Sequence, residues 1–146
     1  MKFLHFGFKV NDIEKTSRAY AELFGLEWEP IKEFTLSSRV GDRTGETRSK
    51  VTHAWTEDGT EIELVETVEG HSVDTELMGE REGLSHLAFS VDDLAAERAR
   101  AEARGLNVLS EGTAPRASWI FIHDERLGGA LVQLVQLVQL HEQPAS

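Results

Sequence analysis

The chain contains no cysteine among its 146 residues. This absence excludes disulfide bonds, thiolate metal ligands and a cysteine nucleophile, and it favours a reducing compartment. No apolar run approaches the ~20 residues that a transmembrane helix needs. The first residues, MKFLHFGFKV, lead directly into a strand-like pattern and lack the form of a signal peptide. We therefore expect a cytoplasmic protein that does not enter the membrane.

Positive charge is also scarce, since 15 lysines and arginines stand against 26 acidic residues and give a net charge of -11. Such a balance argues against nucleic acids and anionic membranes as partners. It does not exclude a small-molecule substrate, because a local basic or metal site can hold an anion inside an acidic protein. A length of 146 residues with 40% hydrophobic residues is typical of one soluble domain with a real core.

The chain repeats itself. The segment FLHFGFKVNDI (residues 3–13) matches LSHLAFSVDDL (residues 84–94), which aligns His5 with His86. The segment GTEIELVE (residues 59–66) matches GALVQLVQ (residues 129–136), which aligns Glu63 with Gln133. The repeat predicts a single domain, residues 1–146, with module 1 at about 1–67, a polar linker at 68–83 and module 2 at about 84–140.

Each module reads as a strand, a helix and further strands. Residues 3–10 alternate in the manner of a strand, and Asp12 and Asp93 are suitable helix N-caps. Gly25 and Gly105 stand where helices end. Further strands are predicted near 33–40, 49–56, 60–67, 107–111, 118–124 and 130–138, with a hairpin turn at Asp58-Gly59. The predicted fold class is α+β: two tandem βαβββ modules form a concave, partly closed β-sheet cup with helices outside.

Strand alternation places four polar side chains on the concave face. Each of His5, Glu63, His86 and Gln133 lies between apolar residues that face the opposite way. Two imidazoles, a carboxylate and an amide suit one divalent cation with open positions for water or substrate. A single strand histidine is more often hydrogen-bonded or solvated than a ligand. Here the repeat links the four residues, so we predict that they bind one metal ion.

These segments resemble the vicinal oxygen chelate superfamily, which includes glyoxalase I, methylmalonyl-CoA epimerase, extradiol dioxygenases and bleomycin-binding proteins. The resemblance is carried by FLHFGFKVND, GTEIELVE, GLSHLAFSVDDL and FIHDERLGGALVQLVQ, and it is strongest to methylmalonyl-CoA epimerase and glyoxalase I. It implies that the four residues named above are the metal ligands, that the metal is Zn, Ni, Co, Mn or Fe, and that the protein is a homodimer acting on a small molecule. The cup could be formed within one chain or between two.

One residue departs from the family pattern. In the epimerase and in glyoxalase I the last strand carries a glutamate, thought to be a base, where this chain has Gln133. Glutamine can bind a metal through its carbonyl oxygen but cannot take a proton at neutral pH. The remaining candidate base is Glu63. The resemblance therefore implies a metal-dependent isomerase or lyase of the glyoxalase or epimerase type, in which the metal stabilises an enolate.

Two alternatives remain open. An Fe(II) extradiol dioxygenase would use two histidines and a carboxylate, which His5, His86 and Glu63 could supply. A non-catalytic protein that binds an antibiotic would need no ligand set. Other residues are set aside: His53 and His123 could line the cup or cap a turn, Lys50 and Arg116 could hold an anion but suit a solvated surface, and His71 and His141 are not predicted as ligands.

Overall fold

Eight strands form one closed ring in the computed structural model, which describes residues 1–138. In chain order the strands are β1 (Lys2–Lys9), β2 (Lys32–Val40), β3 (Arg43–Trp55), β4 (Glu61–Glu69), β5 (Gly83–Ser90), β6 (Val108–Ala114), β7 (Ala117–His123) and β8 (Leu131–Leu137). The helices are α1 (Ile13–Phe24), α2 (Val73–Met78) and α3 (Leu94–Ala103), and a 3₁₀ turn spans Glu125–Leu127. Neither these helices nor any other in this part of the chain is long and apolar enough to cross a membrane.

The order of strands around the ring is β1-β4-β3-β2-β6-β7-β8-β5, and β5 pairs with β1 again. Each half of the chain therefore supplies four neighbouring strands, and the α+β fold of two tandem βαβββ modules is confirmed. The cup was predicted to be partly closed. It is fully closed because β1 pairs with β5 on one side and β2 pairs with β6 on the other. Closure also leaves no unpaired sheet edge within residues 1–138.

The repeat is visible in the register of the parallel strand pairs. Gly7 of β1 lies opposite Glu63 of β4, and Ala88 of β5 lies opposite Gln133 of β8. Both pairs join positions that the sequence alignment equates. The structure therefore reproduces the repeat residue by residue along these four strands.

Both long helices pack on the outside of the ring and begin in the same way. The Asp12 carboxylate accepts a hydrogen bond from the Lys15 amide, and Asp93 accepts one from the Ala96 amide. These are the predicted N-caps, and each satisfies an amide that the helix itself leaves free. Ile13, which is fully buried against Val10 and Leu64, fastens α1 to the barrel.

A second cap comes from the last strand of each module. The Glu66 carboxylate accepts a hydrogen bond of 3.0 Å from the Ile13 amide, and the Gln136 amide oxygen accepts one of 2.8 Å from the Leu94 amide. Glu66 and Gln136 are equivalent in the repeat. Each of these two residues lies three positions after a predicted ligand on the same strand. Its side chain therefore links that strand to the helix of the same module.

The sequence patterns missed some of this architecture. The segment 68–83, predicted as a polar linker, contains α2, whose N-cap Ser72 forms a reciprocal pair of hydrogen bonds with Thr75. Strand β3 begins at Arg43 rather than near residue 49. Its first half is polar and mostly exposed, so it lacks the alternation that marks a half-buried strand.

Removing a cap from the last strand tests the link between strand and helix. Glu66→Ala and Gln136→Ala should each lower the free energy of unfolding by about 1 kcal/mol, because each leaves a helix amide without its acceptor. Glu57→Ala, an exposed substitution in the β3–β4 turn, serves as the control and should change stability little. Urea unfolding measures all three. Unchanged stability in both cap variants would show that these bonds do not hold the helices.

Candidate metal centre

The four predicted ligands lie on strands that are neighbours in the ring, in the order β4-β1-β5-β8. All four side chains line one cavity inside the ring, and Leu4 lines it too, although strand alternation predicts that Leu4 faces the opposite way from His5. The two histidines are buried, with exposures of 6% and 4%. The closed ring of one chain therefore carries all four predicted ligand side chains.

Three ligand atoms converge within contact distance. His5 Nε2 and His86 Nε2 are 3.1 Å apart, and Glu63 Oε1 lies 3.5 Å from the first and 3.4 Å from the second. Ligands bonded to one cation at about 2.1 Å are separated by ~3.0 Å in octahedral and ~3.4 Å in tetrahedral geometry. The observed separations of 3.1, 3.4 and 3.5 Å are close to these values, so these three side chains fit a divalent ion.

Gln133 lines the same cavity as the other three side chains. Its amide oxygen is buried and has no hydrogen-bond partner among residues 1–138. A buried acceptor without a partner costs roughly 1–3 kcal/mol, so it calls for a ligand such as a cation or water. This unsatisfied oxygen fits the predicted fourth ligand, although its role in metal binding stays a prediction.

Glu63 is the centre of a cluster of imidazoles. Its second oxygen, Oε2, lies 2.9 Å from His53 Nε2, while Oε1 faces His5 and His86. Burial alone would raise the pKa of Glu63, but hydrogen bonds from the three histidines hold its pKa well below the usual range. The carboxylate is therefore ionised and pre-oriented, with one oxygen for the ligand triangle and one held by His53.

His5 carries the corresponding positive charge when no cation is bound. Burial acts to lower its pKa, but its contacts with Glu61 and Glu63 outweigh burial and raise the pKa to about 9. The Glu61 carboxylate lies 3.7 Å from His5 Nδ1. The pKa of His53 is raised in the same way, with burial opposing and the Glu63 carboxylate favouring the charged ring.

A hydrogen-bonded chain that the sequence did not indicate orients His86. The Ser85 hydroxyl donates to the Asp74 carboxylate, and His86 Nδ1 lies 3.3 Å from the Ser85 oxygen. Because the Ser85 proton is directed at Asp74, the Ser85 oxygen can accept the proton of His86 Nδ1. With a cation bound, a proton held on Nδ1 by Ser85 would leave Nε2, which faces the triangle, free to be the ligand atom.

Asp74 itself is a buried carboxyl group, 5% exposed, on α2 at the wall of the cavity. Burial raises its pKa, and the hydrogen bond from Ser85 offsets only part of that effect. The sequence carries a helix-start signal at Ser72 and Thr75, but nothing in it places the following helix against β5.

Gly7 makes room for His86. A Cβ atom at this position would lie 2.0 Å from Cε1 of the His86 ring. The equivalent position in the repeat is Ala88, which lies opposite His5. The two imidazoles therefore have different surroundings despite the repeat, because only His86 packs directly against a glycine.

The cavity around these groups has a volume of about 490 Å³. It is large enough for a small organic molecule. Side chains of His53, Glu61 and Asp74 join the predicted ligands on its wall, and Trp119 lies on the opposite side of the ring. The arrangement can hold a cation, a substrate beside it, and a carboxylate that acts on the substrate.

The remaining predicted residues lie elsewhere. His123 is exposed, and the cap of the nearby 3₁₀ turn is Asp124 rather than His123. His71 contacts Glu76 at 2.6 Å, away from the ligand triangle. His141 is outside the residues that the structure describes. Neither Lys50, which pairs with Glu14 at 3.0 Å, nor Arg116 lines the cavity.

Comparison with known proteins gives the same family as the resemblance. Residues 4–122 match the model of the Glyoxalase/Bleomycin resistance protein/Dioxygenase superfamily. No curated protein matches the chain significantly.

Solved structures share the fold at low sequence identity. A hypothetical protein of Bacillus halodurans C-125 is 18% identical, with a TM-score of 0.71 over 97% of this chain and 98% of its own. Methylmalonyl-CoA epimerase of Mycobacterium tuberculosis is 22% identical, with a TM-score of 0.65 over 94% and 89%. A variant of the Streptomyces coelicolor epimerase in complex with 2-nitronate-propionyl-CoA is 23% identical, with a TM-score of 0.65 over 95% and 99%. At these identities the likeness establishes the fold alone.

Substituting Gly7 tests whether the space beside this residue is needed to position the His86 ring. Gly7→Ala should displace the imidazole and weaken metal binding by at least about tenfold, because the new methyl group occupies the space of the ring. Gly45→Ala is the matched control, since Gly45 is also a strand glycine and has no atom within 4 Å of the position of an added Cβ. Isothermal titration with Co²⁺ measures both. Equal affinities in the two variants would contradict the proposed packing.

The raised pKa of His5 predicts how stability depends on pH in the metal-free protein. The folded pKa of about 9 exceeds the ordinary 6.5. The stabilisation from its charge, about 3 kcal/mol, is therefore complete below pH 6.5 and disappears as the pH rises to 9. Urea unfolding at pH 6, 7.5 and 9 should show this decline in the wild type and in the exposed control His123→Gln. It should be much smaller in His5→Gln, and a decline as steep in that variant would refute the assignment.

Proposed function

The chain belongs to the Glyoxalase/Bleomycin resistance protein/Dioxygenase superfamily, and we propose that it is a divalent-metal-dependent isomerase or lyase of the glyoxalase and epimerase type. The observation that carries this proposal is the triangle of His5, Glu63 and His86 beside the unsatisfied amide oxygen of Gln133. A site that only enclosed an apolar molecule would have no need of four converging polar groups.

These four side chains would hold the cation. Two imidazole nitrogens and two oxygens form a set that Zn, Ni, Co, Mn and Fe all accept. When bound, the cation supplies Lewis acidity, which polarises a substrate carbonyl and stabilises the negative charge of an enolate. The carbonyl and a neighbouring oxygen of the substrate would occupy the positions that the protein leaves open.

Glu63 is proposed as the base. Its Oε2 is held at 2.9 Å by His53, so Oε1, which faces the two ligand histidines, is the atom that would accept the proton. It would take a proton from the carbon next to the polarised carbonyl and return it to a neighbouring carbon in an isomerase, or a leaving group would depart in a lyase. Because Gln133 cannot accept a proton, this is a one-base reaction, unlike a symmetric two-base epimerisation.

A second candidate activity is favoured by one observation. Two histidines and one carboxylate facing a common point also form the ligand set of Fe(II) oxygenases. Oxygen uptake by iron-loaded protein in the presence of a catechol tests that activity. Uptake that requires both iron and catechol would favour the dioxygenase over the isomerase or lyase.

Assembly and location remain proposals drawn from the family. We propose a homodimer acting on a small molecule in the cytoplasm. The closed ring within one chain means that dimerisation is not required to bring the four ligand side chains together.

Substituting the proposed base separates chemistry from metal binding. In D₂O, cobalt-loaded wild type should exchange the CH₂ protons of 2-hydroxyacetophenone, an α-hydroxyketone, as seen by proton NMR. Glu63→Gln should slow this exchange by at least about 100-fold, because the amide cannot take the proton.

Elemental analysis of the same sample should still find the metal, since the glutamine oxygen can remain a ligand. Glu61→Gln is the control, because Glu61 lines the cavity and contacts His5 from outside the ligand triangle. It should keep most of the exchange. Wild-type exchange in Glu63→Gln would exclude Glu63 as the base.

A further inference from the structure

The cavity has two chemically different sides. The polar groups of the candidate centre lie on the neighbouring strands β4, β1, β5 and β8. The facing strands β2, β6 and β7 contribute mainly apolar side chains: Phe34, Leu36, Val40, Ala114 and Trp119. A molecule that reaches from the centre across the cavity therefore meets oxygen and nitrogen atoms at one end and hydrocarbon at the other.

Among residues 1–138 no lysine or arginine side chain lines this cavity. The eight residues that follow, QLHEQPAS, contain neither residue type. Lys9 is buried at 4% exposure beside the centre, but its ammonium donates to Asn11 and does not line the cavity. Arg39 lies on β2, yet its guanidinium donates to the carbonyls of Gly41 and Val108.

Acidic groups, by contrast, do line the cavity: Glu61, Glu63 and Asp74. A bound divalent ion and the His53 ring beside Glu63 would offset much of this negative charge on the polar side of the cavity. A substrate anion that reached across the cavity would enter a partly desolvated space whose far wall offers it no partner. Burying a charge without a partner is strongly unfavourable.

We propose that the substrate presents two neighbouring oxygens at one end and an uncharged, mainly apolar body at the other, and that analogues with a carboxylate at the far end of that body are rejected. This inference rests on the proposed function, because the oxygens are assigned to the open positions of the metal centre. The apolar part of the molecule would lie against Trp119, whose indole lies directly over Gly112.

Two isosteric probes separate charge from shape. 4-(Hydroxyacetyl)benzamide and 4-(hydroxyacetyl)benzoate carry the same α-hydroxyketone at one end and have the same number of non-hydrogen atoms, but only the benzoate has an anion at the far end. Titration of cobalt-loaded protein, followed by tryptophan fluorescence and by the visible spectrum of Co²⁺, gives both dissociation constants. The benzamide should bind at least about tenfold more tightly. Equal binding, tighter binding of the benzoate, or binding of neither probe would overturn the proposal.

Two variants test whether the body of the bound molecule lies against the apolar wall of the cavity. Ser38→Lys places a cation on the apolar side and should shift the preference toward the benzoate by at least about tenfold. Trp119→Ala should weaken benzamide binding, while Trp55→Ala, at a side chain 46% exposed, should not. Thermal unfolding confirms that each variant is folded before titration. An unchanged preference in folded Ser38→Lys would contradict the charge argument.

These titrations are independent of the reaction. A lost preference for the neutral probe together with normal deuterium exchange would overturn the substrate class alone. A clear preference without any exchange would overturn the proposed reaction and leave the substrate class intact.

Discussion

The imidazoles of His5 and His86 face each other with their Nε2 atoms 3.1 Å apart, and both contact one oxygen of Glu63. Several other features of the interior bring these three side chains together. Strands β4, β1, β5 and β8 must be neighbours for the three side chains to meet, and that order follows from closing two modules into one ring. Gly7 leaves space for the His86 ring. The hydrogen bonds of Ser85 with Asp74 and with His86 orient that ring.

Two pseudo-equivalent modules have become unequal at this centre. Glu63 is surrounded by three imidazoles, whereas its counterpart Gln133 has an amide oxygen without a partner among the described residues. The electrostatic consequence is that, of these two equivalent positions, only the one in the first module carries a group that can be negatively charged and accept a proton. A second consequence is that Gln133 can contribute to cation binding without a charge, so the centre is less acidic than a pair of glutamates would make it.

Strand alternation and the repeat both pointed to His5, His86 and Glu63, and the structure brings these three side chains together. The sequence indicated less about the residues that surround them. Asp74 was missed because its role depends on where α2 docks, which is decided by packing of Val73 against Phe121 and Leu131 rather than by local pattern.

Gly7 illustrates a different limit of sequence reasoning. A glycine in a strand signals a close approach in general, but the alternation pattern does not say which side chain approaches. Closure of the ring was likewise beyond the pattern, since it depends on the pairing of β2 with β6 across the two modules. Long-range packing therefore determines the features that the sequence alone could not predict.

We propose that His5, Glu63, His86 and Gln133 bind one cation together. Anomalous diffraction from crystals of tag-free, cobalt-loaded protein, recorded at the cobalt absorption edge, locates that cation. We expect one strong peak per chain within bonding distance of both Nε2 atoms, Glu63 Oε1 and the Gln133 amide oxygen. A peak elsewhere, or no peak at this centre, would show that these four side chains do not form a metal site.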